Sequence, residues 1–152
     1  MTELSKISFS TISYITEDLN MVFKSLKQCL PEELRDIKFK TQKIQSQFGD
    51  QLTIVSGEFK GDSAKKTILY LASLLDSKDK KFIGSMLTLK VDLDQRLIHL
   101  RINKFLPLSD TIKLSEGSDV IKVEIKYQVF TSQQNNLENI RNSLLDVGII
   151  EA

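Results

Sequence analysis

Two stretches of the chain alternate strictly between apolar and polar residues. One covers residues 97–104 and the other covers residues 118–127. In both, the positions between the apolar residues are mostly basic or polar. A two-residue period of this kind is typical of an antiparallel strand that is buried on one face and open on the other. The pattern predicts a sheet with one solvent-facing side, and that side is where a binding function is expected.

The rest of the chain shows a similar series of periodic segments. Further strands are predicted at 7–14, 37–42, 52–59 and 87–93, and Gly57 is expected to mark a bulge or a close approach. Helices are predicted at 16–30, 63–76, 80–86 and 132–147. The residues expected to cap helix starts are Thr16, Asp62 or Ser63, and Thr131 or Ser132, with Gly148 ending the last helix. This order predicts an α+β fold, a two-layer sandwich of a mostly antiparallel sheet with helices on one face.

Composition narrows the class of protein. The chain has 152 residues, 41% of them hydrophobic and 27% charged, which predicts one soluble α+β domain over 1–152. Lys and Arg number 21 against 20 Asp and Glu, so a net charge of +1 gives no overall attraction to nucleic acid or to an anionic membrane. Any basic binding site must therefore be local.

Few residues offer chemistry. Cys29 is the only cysteine and is expected to be a buried helical thiol, and His99 is the only histidine. Asp92 and Asp94 could share a face, but two oxygen donors seldom hold a cation, so they are expected to be turn residues. A phosphate-binding glycine loop and a hydrolase triad signature are both missing from the sequence. We therefore expect no enzyme activity, no catalytic residue, no cofactor and no metal.

Targeting signals are also missing from the sequence. The first residues do not show a basic segment followed by an apolar run, and no apolar stretch approaches the roughly 20 residues of a membrane span. The expectation is a cytoplasmic protein without membrane association.

The alternation directs a group of basic side chains away from the helices. We call these residues the outward set: Lys38, Lys40, Lys90, His99, Arg101, Lys122 and Lys126, with Lys104 at the strand end. Outward aromatic residues are missing from these strands, so RNA contacts are expected to involve phosphates, with strong salt dependence and little sequence preference. The alternative is an ordinary charged face that keeps the protein soluble. A second lysine group on the predicted helices, which reads as a solvated helix face, consists of Lys65, Lys66, Lys78, Lys80 and Lys81.

Several short motifs resemble a known family. They are Thr16-Glu17-Asp18, Leu30-Pro31, Phe48-Gly49-Asp50, Leu100-Arg101-Ile102-Asn103-Lys104 and Asp119-Val120-Ile121-Lys122-Val123. Their order is similar to that in a small archaeal family of RNA-binding proteins linked to the exosome, over about residues 7–130. The resemblance implies the fold of the large-subunit ribosomal protein that binds 5S rRNA. It also implies RNA, and with it exosome proteins, as partners, and it implies no catalytic residue.

A rival interpretation comes from another class of protein. Phe105, Leu106 and Leu108 surround Pro107 in a predicted loop, and exposed apolar residues are a feature of interaction surfaces. The sheet face or an edge strand could then dock a partner or a second copy in a homodimer, without direct RNA binding.

Overall fold

Six strands form one antiparallel sheet in the computed structural model, which describes residues 2–109, 111–117 and 119–152. The strands are β1 Thr2–Tyr14, β2 Lys40–Gln45, β3 Gln51–Lys60, β4 Val91–Asp92, β5 Leu97–Asn103 and β6 Val120–Val129. Across the sheet their order is β2-β3-β1-β6-β5-β4. The N-terminal strand therefore lies in the interior of the sheet, between β3 and β6. Ser118, from the second alternating stretch, and the side chain of Leu106 lie outside the described residues.

Helices cover one face of this sheet. They are α1 Leu19–Gln28, α2 Gly61–Leu74, α3 Ser77–Ser85, α4 Leu87–Lys90 and α5 Leu137–Val147. The buried residues of the main helices and of the inner sheet face belong to one apolar core. On β6, Val123 and Ile125 are fully buried, whereas Lys122 and Lys126 are exposed, as the alternation predicts. Each fully buried aliphatic side chain contributes about 1.5–3 kcal/mol. The predicted α+β class with a mostly antiparallel sheet is confirmed.

The first helix begins later than Thr16. Asp18 caps α1, and its carboxylate accepts a hydrogen bond from the Asn20 N–H at 2.9 Å. The preceding Glu17 does not cap the helix. Its carboxylate accepts a hydrogen bond from the Tyr14 N–H and forms an ion pair with Lys104. The chain therefore stays in a turn until residue 18. The sequence pattern alone did not show this tertiary contact.

Two other helix starts also differ from expectation. Helix α2 follows β3 directly at Gly61, so neither Asp62 nor Ser63 caps it. Helix α5 is capped by Asn136, which accepts the Asn139 N–H at 2.9 Å, because the residues before it form a short 3-10 turn at Ser132–Gln134. The predicted end at Gly148 is confirmed: this glycine has φ 82°, the left-handed conformation that closes a helix at low cost.

The segment predicted as a strand at 87–93 is mostly helical. Leu87 is buried in α4, but Leu89 is 73% exposed, so the leucines do not form one buried row. Residues two apart point to the same side of a strand but to nearly opposite sides of a helix, about 200° apart, and β4 is left with only Val91–Asp92 beside β5. Asp92 does act as a turn residue, since its carboxylate accepts the Gln95 N–H at 3.0 Å.

The second strand is shifted toward the C-terminus of its predicted range. Residues 37–39 precede β2, and Phe39 packs inward, with its ring stacked 6.1 Å from that of Phe23. Gly57 is the close approach that the sequence suggested, because a Cβ there would lie 2.8 Å from Phe39 Cδ1. The bulge is elsewhere, in β1, where the register shifts between Leu4 and Lys6. Within the described part of the chain, no helix is long and apolar enough to cross a membrane.

Candidate nucleic-acid interface

The outer face of the sheet carries a line of residues in register across five strands. We call it the basic row, and in spatial order it contains Lys40, Ser56, Ser10, Lys122 and Arg101. With neighbouring strands about 4.8 Å apart, the row spans about 19 Å. Lys122 and Arg101 stand directly opposite each other, although like charges in that position destabilise a sheet. An anion bound between them would relieve this repulsion.

A second line of cations runs parallel to the first. We call it the lysine row, and it contains Lys60, Lys6 and Lys126 on three neighbouring strands. The two rows are four residues apart along β6, which corresponds to about 14 Å. Lys6 and Lys60 were missed by sequence reasoning because the first strand was expected to begin at residue 7 and the strand predicted at 52–59 stopped before Lys60. The period-two pattern of Lys6, Ser8 and Ser10 contained the signal.

Acidic residues lie between these two lines. Glu58, Ser8, Glu124 and His99 are in register with one another, and we call them the acidic row. Glu58 pairs with Lys6 at 2.8 Å, and His99 Nδ1 lies 3.9 Å from Glu124 Oε1. The hydrogen bond from Lys6 lowers the pKa of Glu58, and the charges of Lys6, Lys60 and Lys40 lower it further, outweighing desolvation. Exposed pairs of this kind are worth about 0–1 kcal/mol, so an anionic ligand can compete for these lysines.

The outward set is largely brought together on this face. Lys38 and Lys40 line one depression with Ser8, Ser56 and Glu58, with a volume of about 240 Å³. A second depression of about 400 Å³ is lined by residues that include Lys90, His99, Arg101 and Lys122. Lys90 was predicted to lie on a strand but lies in α4. It nevertheless lines this depression on the outer face. Arg101 is held in place by the bond that its guanidinium donates to the Gly117 carbonyl at 2.6 Å.

Lys104 is the exception, and its expected place at the exposed strand end is wrong. Only 2% of its side chain is exposed. Its ammonium lies 2.6 Å from Glu17 Oε1 and 3.1 Å from Asp119 Oδ1, and it also donates to the Ile12 carbonyl. The same ammonium lies 4.9 Å from the Tyr14 ring centroid. Because three oxygens already satisfy this cation in a buried position, we leave it out of the candidate interface.

An apolar cavity adjoins the basic row. Tyr14, Ile12 and Ile54 line it from β1 and β3, and Val120 lines it from β6. Arg101 and Lys122 also line it, and its volume is about 360 Å³. Sequence reasoning found no outward aromatic residue in the strands that carry the outward set. The central strand β1, which was not among them, supplies one in Tyr14.

Other titratable groups do not form a reactive cluster in the described residues. Cys29 is buried, its Sγ lies 3.7 Å from the Ser25 carbonyl, and burial raises the pKa of its thiol to about 12, with Arg35 opposing the shift. The residues that the structure describes contain no group of three or more His, Cys, Asp or Glu side chains arranged to hold a metal ion. The described side chains with chemistry in common are the cations in register on the outer face of the sheet.

The fold is thus an α+β sandwich whose open sheet face carries two rows that contain cations. The chain belongs to a protein family described as RNA binding. The sequence model of this family matches residues 6–127. It is similar to RNA-binding protein PAB1135 of Pyrococcus abyssi, with 31% identity over 127 residues, covering 82% of each chain.

Solved structures share the fold. Protein AF2318 from Archaeoglobus fulgidus superposes with a TM-score of 0.78 at 21% identity, over 95% of this chain and 99% of that one. Mth689, a DUF54 protein from Methanothermobacter thermautotrophicus, gives a TM-score of 0.74 at 16% identity, over 95% of this chain and 98% of that one. At these identities the similarity establishes the architecture alone.

Proposed function

We propose that this protein binds RNA through the outer face of its sheet, without catalysing a reaction. The basic row and the lysine row contact backbone phosphates, and the chain is one domain with one interface. The observation that carries it is the direct cross-strand pairing of Lys122 with Arg101, in line with Lys40. The family to which the chain belongs gives independent support.

Phosphate contact fits the geometry of the face. Cations from β2, β5 and β6, from the segment before β2 and from α4 border two depressions, so an extended polyanion can meet several of them at once. Each neutralised phosphate releases counterions, so binding of this kind weakens steeply as salt rises. Glu58 and Glu124 set where the backbone can lie, because they repel phosphates from the middle of the face.

The lysines of the helices are a weaker candidate. Lys65 in α2 lies 3.7 Å from Glu3, and Lys78 and Lys80 share α3 with Asp79. Helical lysines of this kind keep their heads in water and commonly serve solubility. The sheet face is favoured because there the cations oppose one another across strands.

A role without catalysis is supported by the state of the side chains that could react. The Cys29 thiol is buried and remains protonated at neutral pH. His99 is partly exposed and lies 3.9 Å from Glu124 in the acidic row, whereas Ser8, the hydroxyl of that row, is two strands away, at about 10 Å.

The cellular setting is also part of the proposal. We propose a cytoplasmic RNA-binding protein associated with the archaeal exosome or with rRNA processing, on a fold like that of the ribosomal protein that binds 5S rRNA. This rests on the sequence resemblance over about residues 7–130. Exosome proteins are the corresponding protein partners, and pull-down with purified exosome subunits tests that contact.

The competing role is protein assembly without RNA. Its support is the exposure of Phe48 and Phe130, which are 83% and 79% accessible. The loop residues considered from the sequence give less support, because Pro107 is buried and the Phe105 ring lies 5.5 Å from the Lys104 ammonium. A concentration-dependent dimer that binds no RNA would favour assembly.

The test compares two double variants that each remove two positive charges. Arg101→Ala with Lys122→Ala changes the basic row, and Lys78→Ala with Lys81→Ala changes α3. RNA affinity is measured by fluorescence anisotropy at several salt concentrations. We expect the first variant to lose affinity and to reduce the salt slope by about one unit for each lost contact, and the second to resemble the parent. Equal losses in both variants would contradict the assignment to the sheet. Lys122→Ala alone removes one charge and keeps the hydrogen bond from Arg101 to Gly117. It therefore distinguishes the loss of charge from a change in the structure of the Gly117 loop.

A further inference from the structure

The cavity beside the basic row has the composition of a site for one nucleotide. Its apolar lining is Tyr14, Ile12, Ile54 and Val120, and its cations are Arg101 and Lys122. Its volume of about 360 Å³ falls within the roughly 300–1,000 Å³ of small-ligand sites. We propose that it holds an unpaired base of the bound RNA while the two cations contact the adjoining phosphate. This inference rests on the proposed function, and the ligand class is RNA with unpaired nucleotides.

The apolar residues of the cavity depart from the pattern of the outer face. Along β1, the outward positions change from Lys6, Ser8 and Ser10 to Ile12 and Tyr14. An open sheet face needs only polar residues on its solvent side, so apolar residues there indicate something that covers them. Val120 faces the same side and is only 3% exposed, so it forms part of the floor of the cavity.

Charge indicates what kind of ligand covers these residues. The residues lining the cavity include two cations and no acid among those that the structure describes. Ile12 and Ile54 are in register with each other and lie two residues along their strands from Ser10 and Ser56 of the basic row, which is about 7 Å. A ligand that is flat and weakly polar at one end and anionic at the other matches this layout, and a nucleotide has that form.

The buried ion pair between Lys104 and Glu17 contacts Tyr14. The Lys104 ammonium lies 4.9 Å from the Tyr14 ring centroid, and Glu17 accepts both the Tyr14 N–H at 2.9 Å and the Lys104 ammonium. The backbone at Tyr14 and the cation beside its ring are thus in place before any ligand arrives, which lowers the cost of ordering this residue on binding. Sequence-specific recognition of RNA by proteins commonly uses such side chains to receive unstacked bases.

Base pairing decides whether RNA can use the cavity. A base within a regular duplex is stacked and paired, and an A-form helix does not present it to a side-chain pocket. A single strand or a bulge presents its bases freely. The protein should therefore bind single-stranded RNA more tightly than a duplex of the same length, at equal salt.

The test is the substitution Ile54→Thr, which keeps a β-branched side chain suited to a strand and removes apolar surface from the cavity. The control is Ile44→Thr, the same change on the same sheet face at a residue that does not line the cavity. An eight-nucleotide single-stranded RNA and its paired duplex are titrated against each protein. We expect Ile54→Thr to weaken single-strand binding about tenfold with little effect on the duplex, and Ile44→Thr to leave both within about twofold. Ile12→Thr is the second variant if Ile54→Thr does not fold by circular dichroism.

The outcomes separate this inference from the proposed function. If Ile54→Thr and Ile12→Thr bind both RNAs like the parent while Arg101→Ala with Lys122→Ala does not, the base cavity is wrong and the phosphate interface stands. If the parent binds neither RNA, both fail. If the cavity variants change only self-association in sedimentation, the cavity docks protein and the inference is overturned.

Discussion

Lys104 Nζ and Glu17 Oε1 lie 2.6 Å apart and form an ion pair between the residue that follows β5 and the turn before α1. The Ser25 hydroxyl also donates to the Lys104 carbonyl, so this lysine joins three parts of the fold. Breaking a buried pair by removing one partner leaves the other charge without compensation.

Lys104→Ala should therefore destabilise the protein. We expect the free energy of unfolding to fall by about 3 kcal/mol, measured by urea denaturation, with the salt slope of RNA binding unchanged. The comparison is Lys126→Ala, which removes an exposed cation of the lysine row. It should leave the free energy of unfolding nearly unchanged and should reduce the salt slope of RNA binding. A stable Lys104→Ala protein with a reduced salt slope would mean that this lysine contacts RNA after all.

Glu58→Gln should strengthen RNA binding. The carboxylate of Glu58 stands between Lys6, Lys60 and Lys40 and partly neutralises them. Its removal should raise affinity about twofold to threefold at low salt and less at high salt, measured by anisotropy. Glu138→Gln on α5 removes the same charge from the helical layer and should not change affinity. Equal effects of the two variants would point to net charge instead of position.

Cys29 should react slowly and should make stability depend on alkaline pH. Burial raises the pKa of its thiol to about 12, whereas the unfolded chain has the ordinary value near 9. As pH rises, the thiol ionises in the unfolded chain before it ionises in the folded protein. The stability that the protonated thiol contributes is therefore complete below pH 9 and is lost as pH rises toward 12. The measurement is the unfolding free energy of the parent minus that of Cys29→Ala across this range, together with thiol labelling of the native protein. Rapid labelling at pH 8 would contradict the buried thiol.

In the helical turn α4, Leu87 and Leu89 differ in burial. In a strand, both side chains would lie on the same face. Leu87 is 2% exposed and Leu89 is 73% exposed. Leu87→Ala should cost about 2–5 kcal/mol and Leu89→Ala less than about 0.5 kcal/mol, measured by chemical denaturation. Similar losses at both positions would restore the strand that the alternation predicted.

The strands with strict alternation were predictable because a buried row and a solvent row leave a direct mark on the sequence. This holds for β5 and β6, whose register then places Arg101 against Lys122. The helix starts were less predictable because several polar residues compete for one role, and tertiary contacts decide among them. Glu17 is an example, since its carboxylate is taken by Lys104 and the helix begins after Asp18.

The candidate site was predictable in its cations but not in its shape. Alternation placed Lys122 and Lys126 outward, but it could not show that Lys104 turns inward or that Lys6 and Lys60 join the same face. Those positions depend on which strands become neighbours. The order in the sheet, with β1 between β3 and β6, has no local signature in the chain.

The most direct test of the RNA interface is a titration of the isotope-labelled protein with a short single-stranded RNA, followed by amide resonance shifts. We expect the largest shifts at the basic row, which occupies outer-face positions in five strands: Lys40, Ser56, Ser10, Lys122 and Arg101. The amides of α2 and α5 should change little, because these helices cover the opposite face. Shifts confined to the lysine-bearing helices α2 and α3, with the sheet unchanged, would contradict it.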